Sequence, residues 1–184
     1  MDTETDENIV GRIQSGDHDL FGLLIDRYEL KLERYARRFL SSDEDIQDQI
    51  QEVFIKTYTN IQSFDTNKRF SPWIYRIAHN TFVNELRRKQ NSGRSFLDID
   101  TILPYLVSSD TSDGDVLQKE LAEELEHSLD EVPGKYREPL ILFYYEQLSY
   151  QEIAEVLHIP VMTVGVRLKR GREQLKKLYE ANKK

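Results

Sequence analysis

The sequence from Arg69 to Gln90 reads RFSPWIYRIAHNTFVNELRRKQ, and its apolar residues recur at intervals of three and four. This spacing is the period of an α-helix, and it places Ile74, Ala78 and Phe82 on one face. The Ser71-Pro72 pair is typical of a helix start, because serine caps the first turn and proline lacks an N–H that would be unpaired there anyway. The stretch therefore predicts a helix that packs one face into a core.

The other face of this helix combines one aromatic side chain with basic and amide side chains, namely Trp73, Arg76, Asn80, Asn84 and Arg87. Such a combination suits a surface that follows a nucleic-acid backbone and stacks an unpaired base. The alternative is that Trp73 packs against the preceding loop as a peripheral core residue. Both interpretations hold together if only one face of the indole ring is covered.

Two further helices are predicted before this one, and the three could share one core. The apolar stripe of the first helix consists of Phe21, Leu24, Ile25, Tyr28, Leu32, Tyr35, Ala36 and Phe39. The second helix is expected to be capped at Ser41-Ser42. Its inward face would consist of Ile46, Ile50, Val53, Phe54, Thr57 and Ile61. The outer face of the second helix would carry Asp48, Gln51, Glu52 and Ile55. An acidic stripe with an exposed isoleucine favours a protein partner over DNA, although charged helix faces are most often simply solvated.

The C-terminal sequence SYQEIAEVLHIPVMTVGVRLKRGREQLKK, which begins at Ser149, has the spacing of a helix-turn-helix. Ala154 would let the two helices cross closely, and His158 would lie in the turn in a left-handed conformation. The outer face of the second helix would present Met162, Thr163, Val166, Arg167 and Arg170 to base edges and phosphates. The alternative is the solvated face of an ordinary helical hairpin.

The 184-residue chain carries a net charge of -8, but the charge is unevenly distributed. Basic residues concentrate at 68–94 and 161–184, on either side of an acidic segment at 98–131. A nucleic-acid partner is therefore compatible with the acidic total. Cysteine is absent, which excludes disulfides and thiolate metal sites. The N-terminus, MDTETDENIV, has no signal-peptide pattern and no stretch reaches transmembrane length, so we expect a cytoplasmic protein without direct membrane insertion.

Strand signals are nearly absent, so the sequence predicts an all-α protein of two small helical domains joined by an acidic linker. The predicted domains are 1–90 and 116–184, with the linker at 91–115, where glycine, serine and aspartate are frequent and the helical period fails. Further helices are expected from Val116 to about Asp130 and from Pro133 to Glu146, the latter with a kink at Pro139.

Three segments together resemble the extracytoplasmic-function (ECF) group of bacterial RNA polymerase sigma factors. They are DIQDQIQEVFIKTY from Asp45, FSPWIYRIAHNTFVNELRRK from Phe70, and LSYQEIAEVLHIPVMTVGVRLKRGR from Leu148. The resemblance implies an alternative-type sigma factor, which binds core polymerase, recognises promoter elements and promotes strand opening. The implied domains are a sigma region 2-like bundle and a sigma region 4-like helix-turn-helix domain. The implied partners are core polymerase, through its clamp helices and flap, promoter DNA and an anti-sigma factor.

The resemblance also implies roles for the residues of each face. The clamp helices of core polymerase would be contacted by Asp48, Gln51, Glu52 and Ile55. The minus-ten element would be bound and melted by Phe64, Asn67, Lys68, Arg69, Trp73, Arg76, Asn80, Asn84, Arg87 and Arg88. The minus-thirty-five element would be read by Met162, Thr163, Val166, Arg167 and Arg170. The family commonly has Gly-Thr-Val-Lys-Ser or Thr-Arg where this chain has Met162 to Arg167, so apolar Met162 and Val166 could meet thymine methyl groups instead.

Two rival interpretations remain at this stage. A stand-alone helix-turn-helix regulator would use the C-terminal pair but leave the Trp73 face and the acidic helix without a role. An enzyme would have to use Glu124-x-x-His127 and Glu155-x-x-His158, whose spacing matches that of di-iron bundles. Glu155 is expected on an outer face and His158 in a turn, so we expect no catalytic residue, no metal site and no cofactor.

Overall fold

A computed structural model of the protein describes residues 4–91 and 128–182, and the chain divides into two compact units, 1–95 and 96–184. All regular elements of these described residues are helical, which confirms the all-α prediction. The predicted linker beyond Asn91, and the helix predicted from Val116 up to residue 127, lie outside the described residues. Each unit is treated separately below.

The N-terminal unit contains helices α1 (Asp6–Gln14), α2 (Phe21–Ala36), α3 (Asp43–Asn60) and α4 (Phe70–Asn91), with short 3-10 turns at His18–Leu20 and Ile61–Ser63. Helices α2 to α4 follow the sequence prediction. Ser42 caps α3 as expected, since its side chain accepts a hydrogen bond from the Asp45 amide at 3.4 Å.

Helix α1 was not predicted, although local signals for it exist. The Thr5 side chain accepts a hydrogen bond from the Asn8 amide at 3.3 Å, and two acidic residues occupy the first turn, where the helix dipole favours negative charge. Its inner residues Ile9, Val10 and Ile13 are completely buried. Helix α1 therefore belongs to the core of the unit and is not a solvated tail.

The core between α2, α3 and α4 consists of the predicted inward faces together with a buried group of aromatic rings. The predicted residues that are buried are Phe21, Leu24, Tyr28, Leu32, Tyr35, Ala36, Phe39, Ile46, Ile50, Val53, Phe54, Thr57, Ile61, Ile74, Ala78 and Phe82. Ile25 is only partly buried. The Tyr35 ring meets those of Phe39, Tyr75 and Phe82 at centroid distances of 5.2–5.9 Å. Such tilted and edge-to-face contacts are favourable beyond the apolar area they bury.

The start of α4 differs from the prediction. The helix begins at Phe70, so Ser71 lies inside it and does not cap it. The Phe70 amide instead donates a hydrogen bond of 2.8 Å to the carboxylate of Glu7 in α1. The group that caps the first turn of α4 therefore comes from a distant helix and is not the local serine.

The C-terminal unit contains a helical turn at residues 128–131 followed by α5 (Gly134–Tyr144), α6 (Tyr150–Leu157) and α7 (Val161–Asn182). Ser149 caps α6 as predicted, and Glu152 completes a reciprocal capping box. His158 ends α6 with φ of 54°, the left-handed conformation expected for the turn. Pro139, where a kink is predicted, lies within α5, and the helix continues through it from Gly134 to Tyr144.

Close packing of α7 against α5 holds this unit together. Val164, Leu168 and Gly171 form the buried face of α7, whereas Leu175, which the helical period places on the same face, is only partly buried. A Cβ atom on Gly171 would lie 3.0 Å from both the Tyr136 carbonyl oxygen and the Leu140 side chain, so a larger residue would require α5 to shift by a few tenths of an ångström. The helical turn at 128–131 is joined to α5 by a buried ion pair of 3.2 Å between Asp130 and Arg137. Burial lowers the pKa of Arg137 to about 10, so it stays charged at neutral pH.

Replacing Gly171 with alanine should therefore destabilise the C-terminal unit, and Gly165→Ala is the matched control. Both substitutions gain the same helix propensity, but a Cβ on Gly165 meets only the Tyr150 ring, at 3.6 Å. We expect Gly171→Ala to be less stable than Gly165→Ala by about 1–3 kcal/mol, the usual cost of overpacking. Thermal unfolding followed by circular dichroism measures the difference.

The fluorescence of the single tryptophan, Trp73, reports the N-terminal unit and should be unchanged in both variants. Equal stability of the two alanine variants would contradict the close-packing role of Gly171.

Candidate functional site

The outer face of α3 presents the predicted acidic and apolar residues together. Asp48 and Gln51 are exposed, Ile55 is 60% exposed, and Glu52 is partly exposed. Glu52 forms an ion pair of 3.1 Å with Lys56, one turn further along the helix. This ion pair orients the Glu52 carboxylate but adds little to the stability of the fold, because exposed pairs at this spacing contribute only tenths of a kcal/mol.

Tyr58 extends this face, and the sequence analysis missed it. The residue follows Ile55 by three positions, so the two side chains share a side of the helix, and Tyr58 is 43% exposed. Its ring packs edge-on against Phe21 at 5.0 Å, which limits its motion. Asp48, Gln51, Glu52, Ile55 and Tyr58 are called the α3 face below.

The loop between α3 and α4, residues 61–70, is held at both ends by α1. The Gln14 side-chain amide donates hydrogen bonds to the carbonyl oxygens of Ile61, at 2.7 Å, and Phe64, at 2.9 Å. Glu7 holds the far end through the Phe70 amide. The Phe64 carbonyl and the Phe70 amide gain hydrogen-bond partners in this way, and the Ile61 carbonyl gains a second one besides the Phe64 amide, so the loop has a defined shape.

Phe64 does not lie where the sequence placed it. The prediction gave Phe64 to the DNA-contacting loop, but its side chain is only 7% exposed. The ring packs on Phe70 at 5.6 Å and on Trp73 at 5.1 Å. Burying the apolar ring of a phenylalanine is energetically more favourable than exposing it on a loop. Phe64 therefore packs against Trp73 and contributes almost no exposed surface.

Trp73 is partly exposed, and its indole ring packs against Phe64 at 5.1 Å and Phe70 at 5.6 Å. The side chain therefore belongs to the edge of the core and keeps an accessible part, whereas its stacking on an unpaired base stays a prediction. Arg76, Asn80, Asn84 and Arg87 are exposed along the same helix face. These five residues form one continuous stripe, called the Trp73 stripe below.

Arg88 and the loop tip have local partners that the sequence did not reveal. Arg88 donates two hydrogen bonds of 2.7 Å to the buried carboxylate of Glu85, and these bonds lower the pKa of Glu85. In the loop, the Asp65 carboxylate accepts hydrogen bonds from the backbone and side chain of Asn67 at 3.1 and 2.9 Å, which lower the pKa of Asp65. This turn leaves Lys68 and Arg69 exposed beside the Trp73 stripe.

An open groove separates the loop tip from α1. Its volume is about 570 Å³, and its walls are polar, with Glu4, Glu7, Asn8, Gly11, Arg12, Ser15, Thr66 and Asn67. The carboxylates can accept hydrogen bonds, whereas Arg12 and Asn67 can donate them. The groove thus offers both hydrogen-bond acceptors and hydrogen-bond donors to a planar polar group such as a nucleobase edge.

The second helix of the C-terminal pair, α7, exposes the residues predicted to face DNA. Met162 is 85% and Val166 51% exposed, and Arg170 is also exposed. Thr163 and Arg167 are partly exposed. Beside them, the hydroxyls of Tyr144 and Tyr150 accept hydrogen bonds from Arg172 and raise its pKa, so this arginine is held against α5 and α6.

The enzyme interpretation gains no support from the described residues. Glu155 and His158 are both exposed, which gives them no common interior to face, and Glu124 and His127 lie outside the described ranges. Within 4–91 and 128–182, no group of three or more histidine, aspartate or glutamate side chains could hold a metal ion. In the same ranges, no helix combines the length and apolarity needed to cross a membrane.

Comparison with known protein families and sequences gives matches to both units. Residues 24–92 match the family model of Sigma-70 region 2, and residues 122–175 match that of Sigma-70, region 4. The ECF RNA polymerase sigma factor SigW of Bacillus subtilis is 36% identical over 176 residues, covering 91% of this chain and 93% of that protein. The ECF RNA polymerase sigma-E factor of Haemophilus influenzae is 36% identical over 177 residues, covering 93% of each chain.

Solved structures show the same fold. CnrH, determined in complex with the cytosolic domain of CnrY, has a TM-score of 0.66 at 24% identity and covers 97% of this chain and 99% of its own. The sigma factor RpoE of Bartonella quintana, determined with the anti-sigma factor NepR, has a TM-score of 0.65 at 20% identity. The match covers 87% of this chain and 96% of that chain.

The bonds from α1 make a testable contribution to the loop. Gln14→Ala removes two hydrogen bonds to carbonyl oxygens and should destabilise the N-terminal unit by about 1–2 kcal/mol. Urea unfolding followed by Trp73 fluorescence measures the loss. Hydrogen exchange at the Phe64 amide, which bonds the Ile61 carbonyl at 3.1 Å, should become faster.

Gln62→Ala is the matched control, because this exposed glutamine bonds the Gln14 carbonyl over a longer 3.4 Å. It should change stability by less than about 0.5 kcal/mol. An equal loss in both variants would refute the special role of Gln14.

Proposed function

The chain belongs to the ECF group of RNA polymerase sigma factors, and from this membership we propose a role for each of its exposed faces. As a sigma factor it acts with core polymerase at promoters in transcription initiation. The observation that best supports the assignment of roles is that one compact unit carries two chemically different surfaces on neighbouring helices. The α3 face is acidic and apolar, whereas the Trp73 stripe is basic, amide-rich and aromatic.

The α3 face is proposed as the contact with the clamp helices of core polymerase. Ile55 and Tyr58 supply exposed apolar area, which a protein interface buries at its centre. Asp48 and Glu52 supply negative charge at the edge, where it steers a basic partner and repels the DNA backbone. Polymerase binding by this face also leaves the α4 side of the unit open to DNA.

The Trp73 stripe and the loop 61–70 are proposed as the part that recognises the minus-ten element and holds its melted strand. Arg76, Arg87 and the exposed Lys68 and Arg69 suit phosphates, and the accessible part of the Trp73 ring suits a stacked base. Arg88 contributes charge to this region while it remains bonded to Glu85. An extruded base could enter the polar groove beside Thr66 and Asn67, which would offset part of its unstacking cost.

The helix-turn-helix of α6 and α7 is proposed to read the minus-thirty-five element. Met162, Thr163 and Val166 would face base edges near the start of α7, and Arg167 and Arg170 would meet phosphates or guanine. We further propose that residues 1–90 and 116–184 act as the two binding domains, with 91–115 as their linker.

A stand-alone regulator is the weaker account. It would employ α6 and α7 alone and give no reason for the exposed Ile55 and Tyr58 or for the partly exposed Trp73. Family membership covers both units, and the roles proposed above use each of these surfaces.

Two further proposals rest on the family alone. We infer that an anti-sigma factor controls the protein, because the family implies such a partner. We also infer that the protein works in the cytoplasm, where its polymerase is located. No catalytic step of its own is proposed, since RNA synthesis belongs to the polymerase.

Competition for core polymerase tests the central assignment. Wild-type protein should displace the housekeeping sigma factor from purified core, whereas Asp48→Lys with Glu52→Lys should do so at least tenfold less well, because like charge then faces the partner. Fluorescence anisotropy of labelled housekeeping factor measures the displacement. Glu173→Lys with Glu180→Lys makes the same change of net charge on α7 and should compete like wild type.

If folded wild-type protein failed to bind core polymerase, the proposed function would be wrong and the stand-alone regulator would be favoured. If both double variants lost binding equally, the assignment of the α3 face would be wrong.

A further inference from the structure

The exposed face of α7 contains two apolar side chains one helical turn apart. Met162 and Val166 are 85% and 51% exposed. Four residues along an α-helix correspond to about 6 Å, so the two side chains stand next to each other on one side of the helix. Exposed apolar side chains are common singly, but a pair at the start of a helix-turn-helix recognition helix occupies the position that meets base edges.

The surroundings of this pair select a strongly anionic partner. No acidic residue occurs from Val161 to Arg172, a stretch that carries four arginines and lysines in addition to the apolar pair. Arg172 is held by the hydroxyls of Tyr144 and Tyr150, which leaves Arg167, Lys169 and Arg170 as the cations nearest the pair along α7. Basic side chains next to two exposed apolar side chains complement a DNA groove better than they complement a protein or lipid surface.

Only one base offers an apolar group in the major groove. The C5 methyl of thymine projects there, while the other base edges present hydrogen-bond donors and acceptors. Neither a thioether nor an isopropyl group can satisfy those polar edges, so placing Met162 and Val166 against guanine or cytosine would leave buried polar groups unpaired. Stacked bases are 3.4 Å apart along one strand, so side chains about 6 Å apart can reach methyls one or two steps apart.

We propose that Met162 and Val166 recognise the methyl groups of thymines in the upstream promoter element, and that they determine its sequence preference. This inference rests on the proposed function of α7 and specifies its ligand. Arg167 and Arg170 fix the helix on the backbone, and the apolar pair selects thymine at one or two neighbouring steps. The preference is therefore set by hydrophobic contact at these steps.

The test begins with a selection from promoter duplexes randomised at the upstream element, performed with holoenzyme and, at low ionic strength, with the full chain alone. Thymine should be enriched at one or two neighbouring positions. Replacing each of these thymines by deoxyuridine removes only the methyl group and should weaken binding about fourfold per contacted methyl. Parallel titrations of both preparations measure the affinity.

Variants then connect each methyl to its side chain. At the position that Val166 contacts, Val166→Ser should bind duplexes with thymine and with deoxyuridine equally tightly. Val166→Ile should retain the higher affinity for thymine at this position. Met162→Ala and Met162→Leu form the corresponding pair for the second position. All four substitutions lie at the two exposed positions 162 and 166, so unfolding temperatures should stay close to that of wild type.

Absence of thymine enrichment, or deoxyuridine substitution without effect in both preparations, would overturn the methyl readout. A deoxyuridine effect that persists in Val166→Ser and Met162→Ala would do so too, because another residue would then contact the methyl. Transcription by the holoenzyme from the selected templates, scored in parallel, keeps this failure separate from failure of the proposed function. Binding by the full chain alone decides the methyl question even if core polymerase is not bound.

Discussion

Three hydrogen bonds that join α1 to the backbone of the loop 61–70 are the constraint on which the shape of this loop depends. Gln14 fixes the Ile61 and Phe64 carbonyls, and Glu7 fixes the first amide of α4. With its ends fixed, the loop turns Phe64 inward against Trp73. The Trp73 indole packs on Phe64 and Phe70 and stays partly exposed, and we propose that its exposed part stacks on an unpaired base.

Rigid support also explains why the same unit can carry two surfaces of opposite character. The aromatic contacts around Tyr35 and the buried faces of α2, α3 and α4 occupy the interior completely, so the charged residues of α3 and α4 project from a fixed framework. The acidic α3 face and the basic Trp73 stripe belong to different helices, and neither neutralises the other. In the C-terminal unit, Gly171 has the comparable role, since its missing side chain lets α7 lie directly on α5.

Helical period and local capping were sufficient to predict α2 to α4, the buried faces, the Ser42 and Ser149 caps, and the left-handed His158. These features depend on residues within a few positions of each other. The start of α4, the burial of Phe64 and the complete burial of Tyr75 depend on partners far away in the sequence, which a local pattern cannot reveal. Helix α1 is different, because its Thr5 cap and its apolar spacing are local signals from which it could have been predicted. Tyr58 was likewise within reach, because it repeats the helical position of Ile55.

The most direct measurement of this account is promoter opening by holoenzymes that contain wild-type protein, Trp73→Ala or Trp73→Phe, followed by permanganate reactivity of unpaired thymines in the minus-ten region. Stacking of one base on an aromatic ring is worth about 1–3 kcal/mol, so Trp73→Ala should lower the equilibrium constant for opening about 5- to 150-fold while binding core polymerase normally. Trp73→Phe should retain most of the opening. Wild-type opening by Trp73→Ala would contradict the assignment of the Trp73 stripe to the melted strand.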